Sequence, residues 1–211
     1  MQRTTKQRIL DAAIRCFNRS GIAGTRLQHI ADEAEGMSVG NMAYHYRTKE
    51  LIVQAIWEQL RQEQEGLMAE FRVLPLFEDL ERQMRSQFQI QQRYRFFYQD
   101  TLDVLRSYPA IAALHRRHWA WQEQQLRLMF RFNVSRGAFA PEQAEGQHDR
   151  LAALYWAQAE TWLYRQELLG LDAGSFAGFR DPLWGLLSSC FSDMGWLEFR
   201  QLNALIAENY V

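Results

Sequence analysis

Apolar residues recur at intervals of three and four along nearly the whole chain and no segment alternates, so the pattern predicts helices and no strands. The first helix, capped by Thr4 or Thr5, buries Ile9, Ala13, Cys16 and Phe17 with Leu10 and Ile14 alongside, and ends at Ser20-Gly21. Past the turn Ile22-Ala23-Gly24, Thr25 is the capping residue for a short helix that buries Leu27, Ile30, Ala31 and Ala34. Its wet face carries Gln28, Asp32 and Glu33. Gly36 breaks this helix, and Ser38 caps another from Val39 to Tyr44, which is too short to persist unless packed on something larger. Thr48 caps a long helix with apolar positions Leu51, Ile52, Ala55, Ile56 and Leu60. Its pattern continues through Trp57 and Leu67 to about Arg72, where Val73-Leu74-Pro75 closes it.

Beyond that linker the periodicity predicts helices over roughly 76–91, 94–106, 109–135, 147–169, 181–192 and 195–208. Pro109 and Asp181-Pro182 stand at expected helix starts, and Gly137 to Gly146 and Gly170 to Gly178 supply the loops. The expected fold is therefore all-α. A three-helix head with a helix-turn-helix, residues 1–50, is joined by a long helix to a larger helical bundle, residues 51–211. A helix that begins in the head and ends in the body links the two mechanically.

Helix, turn, short helix and capped long helix is an arrangement that can read DNA. A helix entering the major groove needs small or hydrogen-bonding residues at its leading end, which Ser38, Val39, Gly40, Asn41 and Ala43 provide. Asn41 can bond an adenine edge in two places, and the Val39 methyls can touch a thymine methyl. Tyr44, His45, Tyr46 and Lys49 carry donors suited to phosphate oxygens, while Thr25, Arg26 and Gln28 stand where a neighbouring helix would meet the backbone or a base edge.

The run Thr5-Lys6-Gln7-Arg8-Ile9-Leu10-Asp11-Ala12-Ala13, then Cys16-Phe17, Gly21, Thr25, Ile30-Ala31, Ser38-x-Gly40 and Tyr44-His45-Tyr46-x-x-Lys49, resembles the N-terminal domain of the TetR family of bacterial transcription regulators. The match covers about the first quarter of the chain. Where the family usually runs Ala-Gly-Val-Ser, this chain has Ala34-Glu35-Gly36-Met37-Ser38, one residue longer, so a reshaped turn is expected. Ala43 stands where the family commonly has the first of two aromatic residues, so one phosphate contact is expected to be missing or supplied by Tyr44 and Tyr46. The resemblance implies an effector pocket and a dimer interface in the body.

Forty-seven per cent of the 211 residues are apolar and thirteen per cent aromatic, which excludes a disordered chain. The net charge of −1 hides an asymmetry: residues 1–50 hold eight basic against five acidic side chains, the remainder sixteen against twenty. A basic head on a mildly acidic body fits a nucleic-acid-facing part attached to something else. Cys16 and Cys190 lie far apart among apolar neighbours and read as buried, reduced thiols. With no signal peptide and no apolar run approaching the roughly twenty residues of a membrane span, the expected place is the cytoplasm.

In the body, Tyr94, Phe97, Tyr98 and Thr101 form a stripe that Trp119, Phe130, Trp156 and Trp162 could face, either as core or as the walls of a pocket. Asp100, Asp103, Tyr155 and Arg165 would be its polar groups, and a flat or elongated apolar or aromatic molecule its guest. Leu151, Leu154, Trp184, Leu187 and Phe191 are an apolar load that a second copy could share in a two-fold dimer. His115 and His118 at i, i+3 lack a third ligand and read as a solvated or partner-facing pair, and Asp100 and Asp103 read as a wet face. No phosphate loop, nucleophile elbow or dinucleotide turn appears, so neither an enzyme nor a cofactor or metal protein is expected. The expected function is a dimeric, ligand-released repressor on a palindromic double-stranded DNA operator. The alternative is a helical ligand-binding or interaction protein whose head binds DNA without specificity.

Overall fold

The computed structural model describes residues 4–70 and 76–209. The expected closure at Val73-Leu74-Pro75 lies outside the described residues. Twelve helices follow in order: α1 Thr5–Gly24, α2 Leu27–Glu33, α3 Val39–His45, α4 Lys49–Glu70, α5 Phe77–Arg93, α6 Arg95–Gln99, α7 Thr101–Ser107, α8 Pro109–Ser135, α9 Gln147–Glu160, α10 Trp162–Leu169, α11 Phe176–Ser188 and α12 Asp193–Asn209. Among the described residues no strand forms, and Phe139 and Phe191 make one isolated bridge.

The described residues pack as two compact units, one drawn from Met1–Gln64 with Ile90–His115, the other from Glu65–Gln89 with Arg116–Val211. This partition by packing differs from a cut after residue 50, because the head carries residues 90–115 with it.

In the first unit, Thr4 caps α1 by accepting the Gln7 N–H, and Ile9, Leu10, Ala13, Ile14, Cys16 and Phe17 are all buried, as the period requires. Gly21 takes φ 67°, so regular helix ends at Ser20 and a last irregular turn runs to Gly24. Phe17 meets Phe96 edge-on at 5.2 Å. The Asn18 amide bonds both sides of the α5–α6 break, donating to the Arg93 carbonyl (2.8 Å) and accepting the Phe96 N–H (3.0 Å). That satisfies a helix end and a helix start with one side chain.

The second unit is built around Phe77, whose ring lies 4.8 Å from Phe191, 5.2 Å from Trp184 and 6.1 Å from Phe139. Arg136 grips the Glu198 carboxylate with two nitrogens (2.6 and 3.1 Å) beside that cluster. A Cβ on Gly195 would stand 2.2 Å from the Ala138 carbonyl oxygen, so only glycine lets α12 approach the 137–140 loop this closely.

Three expected boundaries move. The helix expected over 94–106 breaks at Asp100, where Thr101 returns its hydroxyl to the Phe97 carbonyl. The one expected over 147–169 breaks at Thr161, whose hydroxyl and N–H both donate to the Ala157 carbonyl. The helix expected from Asp181 begins instead at Phe176, because Ser175 caps it through the Gly178 N–H, and Pro182 lies inside it rather than at its start. The proline forgoes one backbone bond, to Gly178, a residue without side-chain bulk. Pro109 is the first residue of α8, as expected. Cys16 and Cys190 are buried and unbridged, and burial raises the Cys190 thiol to about 11.

Candidate nucleic-acid interface

Ser38 accepts the Asn41 N–H at 3.1 Å and so starts α3, while Met42, fully buried, fixes which side of this seven-residue helix faces inward. The opposite side presents Ser38, Gly40, Asn41 and Tyr44 to solvent, and Tyr44 is 86% exposed. The Tyr44 ring stands edge-on to His45 at 5.3 Å. Val39, Ala43, His45 and Tyr46 are half-buried. Burial pushes the Tyr46 phenol above its usual range, which keeps it a neutral donor.

The longer turn is taken up by backbone conformation. Glu35 (φ 65°) and Gly36 (φ 70°) are successive left-handed residues between α2 and Ser38. The exposed Glu35 carboxylate pairs with Arg8 at 2.5 Å, and Arg8 also reaches the Ala34 carbonyl at 3.4 Å, so α1 steadies the turn.

Arg26 and Gln28 are exposed on the adjoining end of α2, with the Gln28 amide donating to Asp32 at 2.7 Å. Thr25 is corrected on two counts. It does not cap α2, since Arg26 holds that position and its N–H donates to His29 Nδ1 at 3.2 Å. Nor is its side chain available to DNA, being buried with its hydroxyl turned back to the Gly21 (2.8 Å) and Cys16 (3.3 Å) carbonyls. The left-handed Gly21 turns the chain so that this hydroxyl points inward. Lys49 is also more committed than a phosphate contact would be. Its ammonium donates to the Ile22 (2.7 Å) and Thr25 (2.9 Å) carbonyls and ties the start of α4 to the turn after α1. Thr48 caps α4 through the Leu51 N–H, as expected. Arg47, exposed between the half-buried Tyr46 and this cap, is a cation the sequence reading passed over. A basic side chain directly ahead of a capping threonine was the available signal.

The candidate pocket residues divide. Tyr94, Phe97, Tyr98 and Thr101 lie in the first unit, where the Tyr94 hydroxyl donates to Glu63 (2.7 Å), the Tyr98 hydroxyl accepts from Gln64 (2.9 Å), and Phe97 meets His115 at 5.5 Å. Trp119, Phe130, Trp156 and Trp162 lie in the second. There Trp119 and Trp156 meet edge-on at 6.2 Å, and Phe130 packs on Phe139 and His148. Of the expected polar groups, Asp103 and Arg165 are exposed and Tyr155 is buried. The buried polar side chains of the second unit, which the sequence reading missed, include Gln83, Gln87, Gln122 and Glu160.

Among the dimer candidates, Leu154 is exposed and Leu151 half-buried, but Trp184, Leu187 and Phe191 are core and cannot meet a second copy. The Trp184 indole donates to Glu81 at 2.8 Å, and Glu81 is gripped by Arg180 at 2.7 Å. His115 and His118 are buried rather than solvated: His118 stacks on Trp121 and stands 3.8 Å from Glu65. Among the described residues no helix is long and apolar enough to cross a membrane.

A short capped helix that exposes small and polar residues, packed on α2 and followed by a long helix, defines a helix-turn-helix DNA-binding head on an all-helical body. A family described as "Bacterial regulatory proteins, tetR family" matches residues 9–56, and one described as "Bacterial transcriptional repressor" matches residues 53–178. The chain belongs to the TetR family of bacterial transcription regulators and is not an enzyme. Over 54 residues it is 39% identical to the HTH-type transcriptional regulator AcrR of Shigella flexneri, a match spanning 26% of this chain and about a quarter (25%) of that protein. Its fold is similar to a TetR-family transcriptional regulator from Marinobacter aquaeolei VT8, with TM-score 0.78 at 20% identity over 90% of this chain and 93% of that one. SmeT, the repressor of the Stenotrophomonas maltophilia multidrug efflux pump SmeDEF, is similar with TM-score 0.63 at 23% identity over 91% and 92%.

Proposed function

We propose that the protein is a dimeric repressor that holds a palindromic operator through α3 and releases it when a small effector enters the second unit. The observation that carries the reading is the sidedness of α3, with Met42 inward and Ser38, Gly40, Asn41 and Tyr44 outward. Asn41 is the base-reading residue, with Val39 and Gly40 allowing close approach. Ser38, Tyr44, His45, Tyr46, Arg26, Gln28 and the added Arg47 hold the backbone.

A second copy joins through the outward face of α9–α10 and α11. Leu154, Tyr164 and Leu168 are exposed there at helical spacing, and α11 turns the small or short residues Ala177, Gly178, Pro182 and Gly185 outward, which lets helices approach closely. The family described as transcriptional repressors, matched over residues 53–178, supports the repressor sense. Because α4 begins beside α3 and ends among residues of the second unit, an effector that favours one setting of α4 shifts the population toward a dimer whose α3 helices no longer fit successive grooves.

The test is selection of bound fragments from a random DNA pool at near-physiological salt, repeated with Asn41→Ala. A palindromic motif with half-sites about one helical turn apart supports the reading, and Asn41→Ala should cost roughly 1–3 kcal/mol at particular base pairs. Salt-sensitive binding without a motif favours a head that binds DNA non-specifically.

A further inference from the structure

The interior of the second unit holds more polar groups than its own contacts satisfy. Glu160, at the end of α9, is buried, and its carboxylate accepts a bond of 2.9 Å from the Gln87 amide nitrogen on α5. Gln83, one turn earlier on α5, gives its amide nitrogen to the Met68 sulfur at 3.4 Å. The carbonyl oxygens of Gln83 and Gln87 have no hydrogen-bond partner among the described residues, nor do the indole nitrogens of Trp156 and Trp162 or the amide nitrogen of Gln122. All five side chains are at most 6% exposed. Arg127 Nε is a sixth such atom in this unit, on a side chain that pairs with Glu123 at 3.6 Å. A buried polar group left unmade costs about 1–3 kcal/mol, so the five on uncharged side chains call for a partner from outside the chain.

Contacts link the segments that carry these five, beginning with Gln87 and Glu160. Trp156 stands one helical turn before Glu160 and Trp162 two residues after it. The Trp162 ring meets Phe88, the residue next to Gln87, at 5.6 Å. Trp119 meets Trp156, and Gln122 follows Trp119 by three positions on α8.

Their chemistry narrows the guest. A hydrocarbon would leave every one of these atoms orphaned. An anion would be set beside the Glu160 carboxyl, and Arg127, the basic side chain on α8 beyond Gln122, is already paired with Glu123 at 3.6 Å. A protonated amine can donate to the two amide oxygens and to Glu160, ionising its buried carboxyl, while an attached ring lies among Trp119, Trp156, Trp162 and Phe88, whose faces attract cations. The indole and Gln122 N–H groups, which an ammonium cannot serve, are left for an acceptor atom on the guest. Resting on the effector reading above, we propose that Gln83, Gln87, Glu160, Trp156 and Trp162 form the polar end of the effector site, and that the effector is an aromatic amine bound as a cation. The apolar guest expected from the sequence thereby acquires a charged end.

The experiment titrates the full chain at pH 7 with three matched probes, 2-(2-naphthyl)ethylamine, 2-(2-naphthyl)ethanol and 2-naphthylacetate, by calorimetry, and measures operator affinity with each. The amine should bind at least tenfold more tightly than the alcohol, and the acetate should not bind. Glu160→Gln, which keeps the shape and relieves a buried acid, should remove the amine's advantage while leaving the alcohol's affinity within twofold. Gln87→Leu should weaken the amine alone. Equal binding of amine and alcohol, indifference of the amine to Glu160→Gln, or no binding by any probe overturns the proposal. An amine that binds through Glu160 without changing operator affinity upholds the site and refutes the coupling. A neutral probe that releases the operator upholds the coupling and refutes the cation.

Discussion

Replacing Lys49 by alanine separates two roles that the sequence alone could not distinguish. As a phosphate contact, Lys49 would affect DNA binding and leave the fold alone. As found, its ammonium donates to the Ile22 and Thr25 carbonyls at 2.7 and 2.9 Å, so it staples α4 to the turn that follows α1. Hydrogen bonds to charged groups contribute about 1.5–3 kcal/mol, and the half-exposed setting screens these toward about 1 kcal/mol each. Lys49→Ala should therefore lower stability by about 2 kcal/mol, or roughly 4–8 °C in Tm for a chain of this size. Urea unfolding of wild type and variant gives the stability, and operator binding across a salt series gives the number of phosphate contacts. Arg47→Ala is the companion, exposed with only solvent to lose on the protein side, and should leave Tm unchanged while reducing the salt slope by about one. The reasoning is refuted if Lys49→Ala keeps the wild-type midpoint and lowers the salt slope by one.

Four further outcomes are expected. Burial raises the Glu160 carboxyl from 4.5 to about 8, so its favourable contribution is complete below pH 4.5, declines as the pH rises, and is gone past about 8. By linkage the loss is on the order of 4–5 kcal/mol, and Glu160→Gln should flatten the stability profile between pH 5 and 8. Parallel profiles for the two proteins in urea titrations would show that Glu160 does not govern that window. Glu35→Gly removes a left-handed non-glycine residue at about 1 kcal/mol against a surface ion pair of smaller worth. It should raise the urea midpoint slightly, whereas Glu35→Val should lower it. Arg180→Met strands the buried Glu81 carboxylate and should cost about 3–5 kcal/mol in unfolding experiments, most of it recovered by adding Glu81→Gln. Leu168→Glu, on the exposed face of α10, should leave a folded monomer by light scattering with weakened operator binding, and an unaltered dimer would move the interface elsewhere.

The head was largely legible because its signals are local. The 3.6-residue period named the buried face of α1, and Ser38 and Thr48 announced the starts of α3 and α4 through short-range hydroxyl bonds. Thr25 shows where such signals fail. Its residue type suits a cap, but Gly21 at φ 67° redirects the chain and turns the hydroxyl onto the Gly21 and Cys16 carbonyls. The breaks beside Thr161 and Thr101 were hidden for a related reason, because a hydroxyl returning to its own helix leaves the apolar period intact. Trp184, Leu187 and Phe191 were misassigned for another reason. Apolarity says that a side chain leaves water, not whether its own chain or a second copy covers it.

The same one-sidedness hid the buried polar cluster proposed as the effector site. The walls were sought among aromatic residues, and Gln83, Gln87 and Gln122 were not counted among them. Yet Phe77, Leu80, Met84 and Ile90 mark the buried face of α5, and Gln87 falls three residues from both Met84 and Ile90, on the apolar period itself. A polar residue on the apolar period must find a buried partner or bear the cost of lacking one. Gln87 finds half of what it needs in Glu160 and keeps its carbonyl oxygen unpaired. Where an aromatic interior is used to recognise a guest, the aromatic residues set how much apolar surface is covered, and polar side chains set on the buried period decide which guest is held.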